Sequence, residues 1–200
     1  CKKVVKAAID TTVATFGSLD YAFNNAGCGA DGVHIPFVPL TEVTEGDWDK
    51  VIDTNLKGVF HCLKYELLQM QKQGGGSIVC ISSGNSQCFT SQRSAYNISK
   101  AAVNGLVATL GVEWARFNIR INAVAPGYVM TEMIQKGINE GIIDIDNIMK
   151  VIPMKRLLMP EEIGNSVVFL ASDEASGITG QTLFTDGGWS KAGLPEEKDM

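Results

Sequence analysis

The stretch GSIVCISSGNSQCFTSQRSAYNISK, Gly76 to Lys100, decides the fold. Its first seven residues, Gly76 to Ser82, are a short apolar run of the kind that parallel sheets bury on both faces. Beyond Ser94 the pattern changes. Val103, Leu106, Val107, Leu110, Trp114 and Phe117 recur every three to four residues, which predicts a helix from Ser94 to Phe117. A buried strand feeding a long amphipathic helix is half of a β-α-β unit, so neighbouring segments should repeat it.

Three other runs read as buried strands: LDYAF (Leu19 to Phe23), RINAVAP (Arg120 to Pro126) and QTLFTD (Gln181 to Asp186). A helix from Glu45 to Gln73 is predicted with Thr44 as N-cap and Asp47 in its first turn, burying Val51, Ile52, Leu56, Val59, Phe60, Leu63 and Leu67. Gly74, Gly75 and Gly76 end it. Pro160, followed by Glu161 and Glu162, opens another helix that turns Ile163, Val167 and Leu170 inward. Upstream, Val4, Ala8, Val13 and Phe16 mark the later part of an amphipathic helix in a chain that opens on Cys1. The alternation predicts an α/β fold, a Rossmann-like doubly wound parallel sheet forming one domain over residues 1–190, with a polar tail at 191–200. The segment from Thr131 to Ile152, punctuated by Gly137 and Gly141, reads either as a mobile flap over a site or as a surface helical pair.

Two hundred residues, 45% hydrophobic and 20% charged, suit a single globular domain. A net charge of -5 opposes a phosphate-neutralising surface, so no nucleic acid is expected as partner. The five cysteines form no C-x-x-C pair and only His34 and His61 could join them, so neither a disulfide framework nor a metal site is expected. No apolar run approaches the ~20 residues needed to span a bilayer, and the expected location is cytoplasmic.

NNAGCGADG contains a G-x-G-x-x-G at Gly27, Gly29 and Gly32, but Pro36 and Pro39 follow where a phosphate-binding loop would open a helix. These glycines are therefore expected to serve an irregular loop. Ligands of open parallel sheets bind beyond the carboxyl ends of the strands. That brings together NNAG, Ser82 and Ser83, PGYVMT, and the helix carrying YNISK. Tyr96 and Lys100 lie one turn apart, and an ammonium near the phenol should lower the tyrosine pKa from its reference near ~10. Ser83 could hold a substrate oxygen beside Tyr96. Asn55 shares the apolar side with Ile52 and Val59; it is either part of the site or a satisfied structural amide, and needs a specific partner in both cases.

NNAG at Asn24, Asn25, Ala26 and Gly27, Asn55 in WDKVIDTNLKGVF, Ser83 thirteen positions before Tyr96, the Tyr96-x-x-x-Lys100 pair, APGYVMT at Ala125 to Thr131 and the final TDGGW together resemble the short-chain dehydrogenases/reductases, over nearly the whole chain. The resemblance implies NAD or NADP as cofactor and interconversion of a secondary alcohol and a ketone. Tyr96 would be the acid/base, Ser83 would orient the carbonyl oxygen, Lys100 would assist both tyrosine and cofactor, and Asn55 would hold a water linked to Lys100. Asn24 to Gly27 would line the adenosine half; Pro126, Gly127, Val129 and Thr131 would grip the carboxamide. It also implies a missing front: two β-α units with the glycine-rich phosphate loop and the residue that chooses between NAD and NADP. Relatives form homodimers or homotetramers through their two long helices, and a sugar, polyol or small cyclic alcohol is the expected substrate. The alternative from another class is an inactive truncated relative acting as an interaction module, with an apolar edge exposed at Leu19 to Phe23.

Overall fold

The structure is a computed structural model that describes residues 2–29 and 35–192. Strands β1 (Tyr21–Asn24), β2 (Gly76–Ile81), β3 (Ile119–Pro126) and β4 (Thr182–Thr185) lie side by side in chain order, all parallel. Each crossover is helical. Helix α1 (Lys2–Phe16) precedes β1; α2 (Glu45–Ile52) and α3 (Gly58–Gln73) link β1 to β2; α4 (Ser94–Trp114) links β2 to β3; α5 (Glu132–Asn139), α6 (Ile145–Val151) and α7 (Pro160–Ala171) link β3 to β4. Ile78 and Cys80 of β2 and Ile121 and Ala123 of β3 pack with Val59, Leu63, Leu67 and Met70 of α3 and Val103 and Val107 of α4. On the opposite face Val79 and Val124 meet Ile163, Val167 and Leu170 of α7. Coverage on both faces explains why the central strands read as continuous apolar runs.

The structure revises three expectations. LDYAF is an edge strand, with Tyr21 58% and Phe23 44% exposed, because β1 pairs only with β2 among the described residues. An apolar run alone does not distinguish an interior strand from an edge strand. The opening helix is present, yet Val4 and Phe16 of α1 stand exposed and none of its described residues is buried. The third revision concerns the helix predicted from Glu45 to Gln73, which is interrupted by a π turn at Asp53–Lys57. One extra residue in that turn advances the following side chains by about 100°, displacing the stripe that a 3.6-residue period projects. Phe60, expected inside, is therefore 47% exposed, while Glu66 and Met70 turn inward. Gly74 ends α3 in the left-handed conformation (φ 94°), donating its N–H to Met70 O at 3.0 Å.

Arg120 ties the far end of the sheet to α7. Its guanidinium donates to the carbonyls of Leu170, Ala171 and Ser172 at 2.7, 2.9 and 2.8 Å, meeting the orphan acceptors and negative dipole end of that helix. Arg120→Ala should lower unfolding free energy by about 2–3 kcal/mol, because several buried or half-buried carbonyls lose a charged donor. A urea midpoint unchanged from wild type would show that water replaces the guanidinium without loss.

Candidate active site

The carboxyl ends of β1, β2 and β3 face one cleft. Beyond β1 the chain runs through Asn25, Ala26 and Gly27 to Cys28, where the π turn meets it. Asn55 is fully buried there. Its Oδ1 accepts from the Cys28 N–H at 2.8 Å, and its Nδ2 donates to the Cys28 carbonyl at 2.8 Å and to Ser99 Oγ at 3.1 Å. Ser99 Oγ in turn donates to the Tyr96 carbonyl at 2.7 Å. The amide thus joins the loop after β1 to the first turns of α4. Gly27 passes so close that a Cβ there would stand 3.3 Å from Asn55 Oδ1 and 3.4 Å from Lys100 Nζ.

Ser83 ends the strand segment in extended conformation, and its Oγ accepts from the Asn85 N–H at 3.2 Å. Ser83 and Tyr96 line the same cleft, and the Ser83 side chain acts to lower the tyrosine pKa. Lys100 is buried, with Nζ donating to the Ile81 carbonyl at 3.1 Å and lying 5.8 Å from the centre of the Tyr96 ring. Burial lowers the Lys100 pKa to about 8. Asn55, Ser83, Tyr96 and Lys100 are therefore brought together. The expected depression of the tyrosine is not: the Tyr96 pKa is raised, because desolvation outweighs the Ser83 side chain and the Arg93 charge. Lys100 exerts no counterweight in this geometry, since its ammonium is turned to Ile81 and itself desolvated.

The cleft has a volume of about 340 Å³. Ser83 and Tyr96 line it, and Ile134 of α5, Ile148 of α6, and Ile142 and Ile143 between those helices give it an apolar wall. The segment from Thr131 to Ile152 is thus a helical pair whose apolar face borders the cleft. Thr131 Oγ1 accepts from the Ile134 N–H at 3.3 Å as the N-cap of α5. Gly127 is packed against the next strand: a Cβ there would fall 2.8 Å from Asp186 Cα. Asp186 accepts from the N–H groups of Gly188 and Ser190 at 2.9 and 2.7 Å, which fixes Trp189 with its ring 5.0 Å from that of Tyr128. Of the glycine string, Gly27 and Gly29 lie in irregular backbone; Gly32 and His34 lie outside the described residues, as do Cys1 and positions 193–200 of the tail.

Sequence reasoning missed Glu66. Its Oε2 accepts from Asn24 Nδ2 at 2.9 Å in a buried pocket beside Cys80. Glu66 stands three positions after Leu63 and four before Met70, so a carboxylate on an apolar stripe was the available signal. Burial raises its pKa to about 7, with the Asn24 bond opposing. The same burial, with Glu66 nearby, raises Cys62 to about 11.

Residues 2–190 match the family model described as enoyl-(acyl carrier protein) reductase. The chain is 42% identical to the short chain dehydrogenase/reductase astE of Aspergillus oryzae over 188 residues, covering 93% of this chain and 70% of that protein. It is 39% identical to the 3-oxoacyl-[acyl-carrier-protein] reductase FabG of Staphylococcus epidermidis over 184 residues, 92% of this chain and 72% of the relative. Among solved structures, ElxO with NADP bound superposes with a TM-score of 0.89 at 37% identity, over 96% of this chain and 75% of that one. Levodione reductase gives a TM-score of 0.88 at 34% identity, over 96% and 74%. With this fold and this grouping of side chains, the chain belongs to the short-chain dehydrogenase/reductase family.

Glu66 should make stability depend on pH. Its folded pKa, about 7, lies above the ordinary 4.5, so the stabilisation is complete below 4.5 and is lost as pH rises through 7. The loss should approach about 3 kcal/mol in wild type and vanish in Glu66→Gln. Parallel urea titrations between pH 4 and 8 check this; curves of equal slope in both proteins would contradict it.

Proposed function

We propose that this site interconverts a secondary alcohol and a ketone with NAD or NADP as cofactor. The observation that carries the reading is the convergence of the Ser83 and Tyr96 side chains on one cleft bordered by apolar residues, with Lys100 one turn further along α4. The residues present suit a dinucleotide. Lys100 is a buried cation with a single protein acceptor among the described residues, leaving donors for ribose hydroxyls. Gly27 passes close to Asn55 and Lys100 without a side chain between them, and the backbone of Asn24 to Gly27 would line the adenosine half. Pro126, Gly127, Val129 and Thr131 line the approach for the carboxamide. The dinucleotide, when bound, supplies or receives the hydride.

The protein's own groups do the rest. Ser83 holds the substrate oxygen and Tyr96 gives it a proton during reduction, or takes one during oxidation. A raised tyrosine pKa keeps that proton in place at neutrality, which suits the donor role. Lys100 favours the phenolate electrostatically once a ligand draws its ammonium from Ile81 towards the cleft. Asn55 holds the β1 loop against α4 and would place the water that links Lys100 to solvent. The names of the similar proteins, a 3-oxoacyl-[acyl-carrier-protein] reductase and a levodione reductase among them, support a carbonyl substrate without choosing one. A homodimer or homotetramer is supported by exposed Phe60 and Leu68 on α3 and Val112 on α4, apolar surface that a second copy would cover.

Tyr96→Phe should lower turnover by at least a thousandfold with dinucleotide affinity retained, and Lys100→Ala should weaken both. Steady-state rates with a ketone panel and fluorescence titrations with NADH and NADPH check the pair. Unchanged turnover in Tyr96→Phe would overturn the role assignment. Failure of wild type to bind either dinucleotide would favour the non-catalytic alternative.

A further inference from the structure

The cleft contains a cation that the proposed chemistry leaves unused. Arg93 lines it together with Tyr96, three residues later on the same helical start, and with Ser83. Its guanidinium lies 4.3 Å above the ring of Phe37, another wall of the cleft, which fixes the plane of the fork without satisfying its donors. Among the described residues no carboxylate forms an ion pair with it. Gln92, immediately before, adopts the left-handed conformation (φ 62°), which a residue with a side chain rarely occupies. That backbone turn carries the chain into Arg93 at the mouth of the cleft, and such outliers persist where neighbouring structure holds them in place.

Arg93 is half-buried and has no protein acceptor among the described residues, so its donors are free for a ligand, and its planar fork matches a carboxylate. The other charged residue lining the cleft, Asp144, lies on the side of α6; its carboxylate accepts from the backbone and the side chain of Asn147. An anion is therefore favoured near Arg93 and Tyr96. Resting on the hydride-transfer reading above, we propose that the substrate is an oxo acid, or the corresponding hydroxy acid, with its carbonyl oxygen at Ser83 and Tyr96 and its carboxylate on Arg93. The carbons between would lie along Ile134, Ile142, Ile143 and Ile148.

Calorimetric titration in the presence of NADP tests this with acetoacetate, levulinate and 5-oxohexanoate, each against its own methyl ester. At least one acid should bind fivefold or more tightly than its ester in wild type, and Arg93→Gln and Arg93→Met should each abolish that gap. If no pair reaches fivefold, or if the gap persists in both variants, the inference fails. Reduction of the same compounds by NADPH reports separately on the underlying reading. Ketones reduced with no preference for acids would leave hydride transfer standing and remove the oxo-acid assignment. An Arg93-dependent acid preference with no reduction of any compound would keep the carboxylate site and remove the hydride reading.

Discussion

The amide of Asn55 is divided between two segments: the backbone of Cys28 beyond β1 and Ser99 on α4. Pairing both the N–H and the C=O of Cys28 imitates a strand neighbour, so the loop is held as firmly as if it were part of the sheet. Each buried group left without this partner would cost about 1–3 kcal/mol. More depends on it than stability. Ser99 passes the constraint to the Tyr96 carbonyl, and Gly27 must stay small because Asn55 and Lys100 both crowd it. Asn55 sits within the π turn, and a regular helix through Asp53–Lys57 would present the residues that follow at a different angle.

Around this clamp the ionisable groups share one physical condition, removal from water. Burial pushes Lys100 down to about 8 and Glu66 up to about 7, and it raises Tyr96 despite the Ser83 side chain. Lys100 and Glu66, of opposite charge type, are thereby moved towards neutrality, whereas Tyr96 is moved away from it. Glu66 acts at one remove: through Asn24 it fixes the end of β1, from which the Asn25 to Cys28 loop departs.

Much of this was legible in the chain. The strands at Gly76 and Ile119 announced themselves because burial on both faces removes polar alternation, and Pro160 with Glu161 and Glu162 marked the start of α7 correctly. Thr44 caps α2 as its side-chain chemistry predicts, accepting from the Asp47 N–H. Asn55 was conspicuous as a polar residue on an apolar stripe. What escaped depends on phase and on partners distant in sequence. Periodicity assumes an unbroken helix, so one inserted residue misassigned Phe60, while Glu66 is passed over because a carboxylate on an apolar stripe reads as a surface charge. The sign of the Tyr96 shift could not be read from a four-residue spacing, because it follows from where the Lys100 ammonium points and how much water both groups lose. Arg93 stands out only once Phe37, fifty-six positions away, is placed beneath it.

Hydride transfer onto a carbonyl, directed by Tyr96 and Lys100 of α4, Ser83 just beyond β2 and Asn55 of the π turn, is what the proposed function requires. The most direct measurement is to incubate the protein with a ketone and NADPH deuterated stereospecifically at the nicotinamide C4, and to follow deuterium into the alcohol by NMR. The account predicts label on the carbinol carbon in a single configuration, from one face of the nicotinamide only. Alcohol lacking the label, or dinucleotide bound with no alcohol formed from any ketone offered, would contradict it.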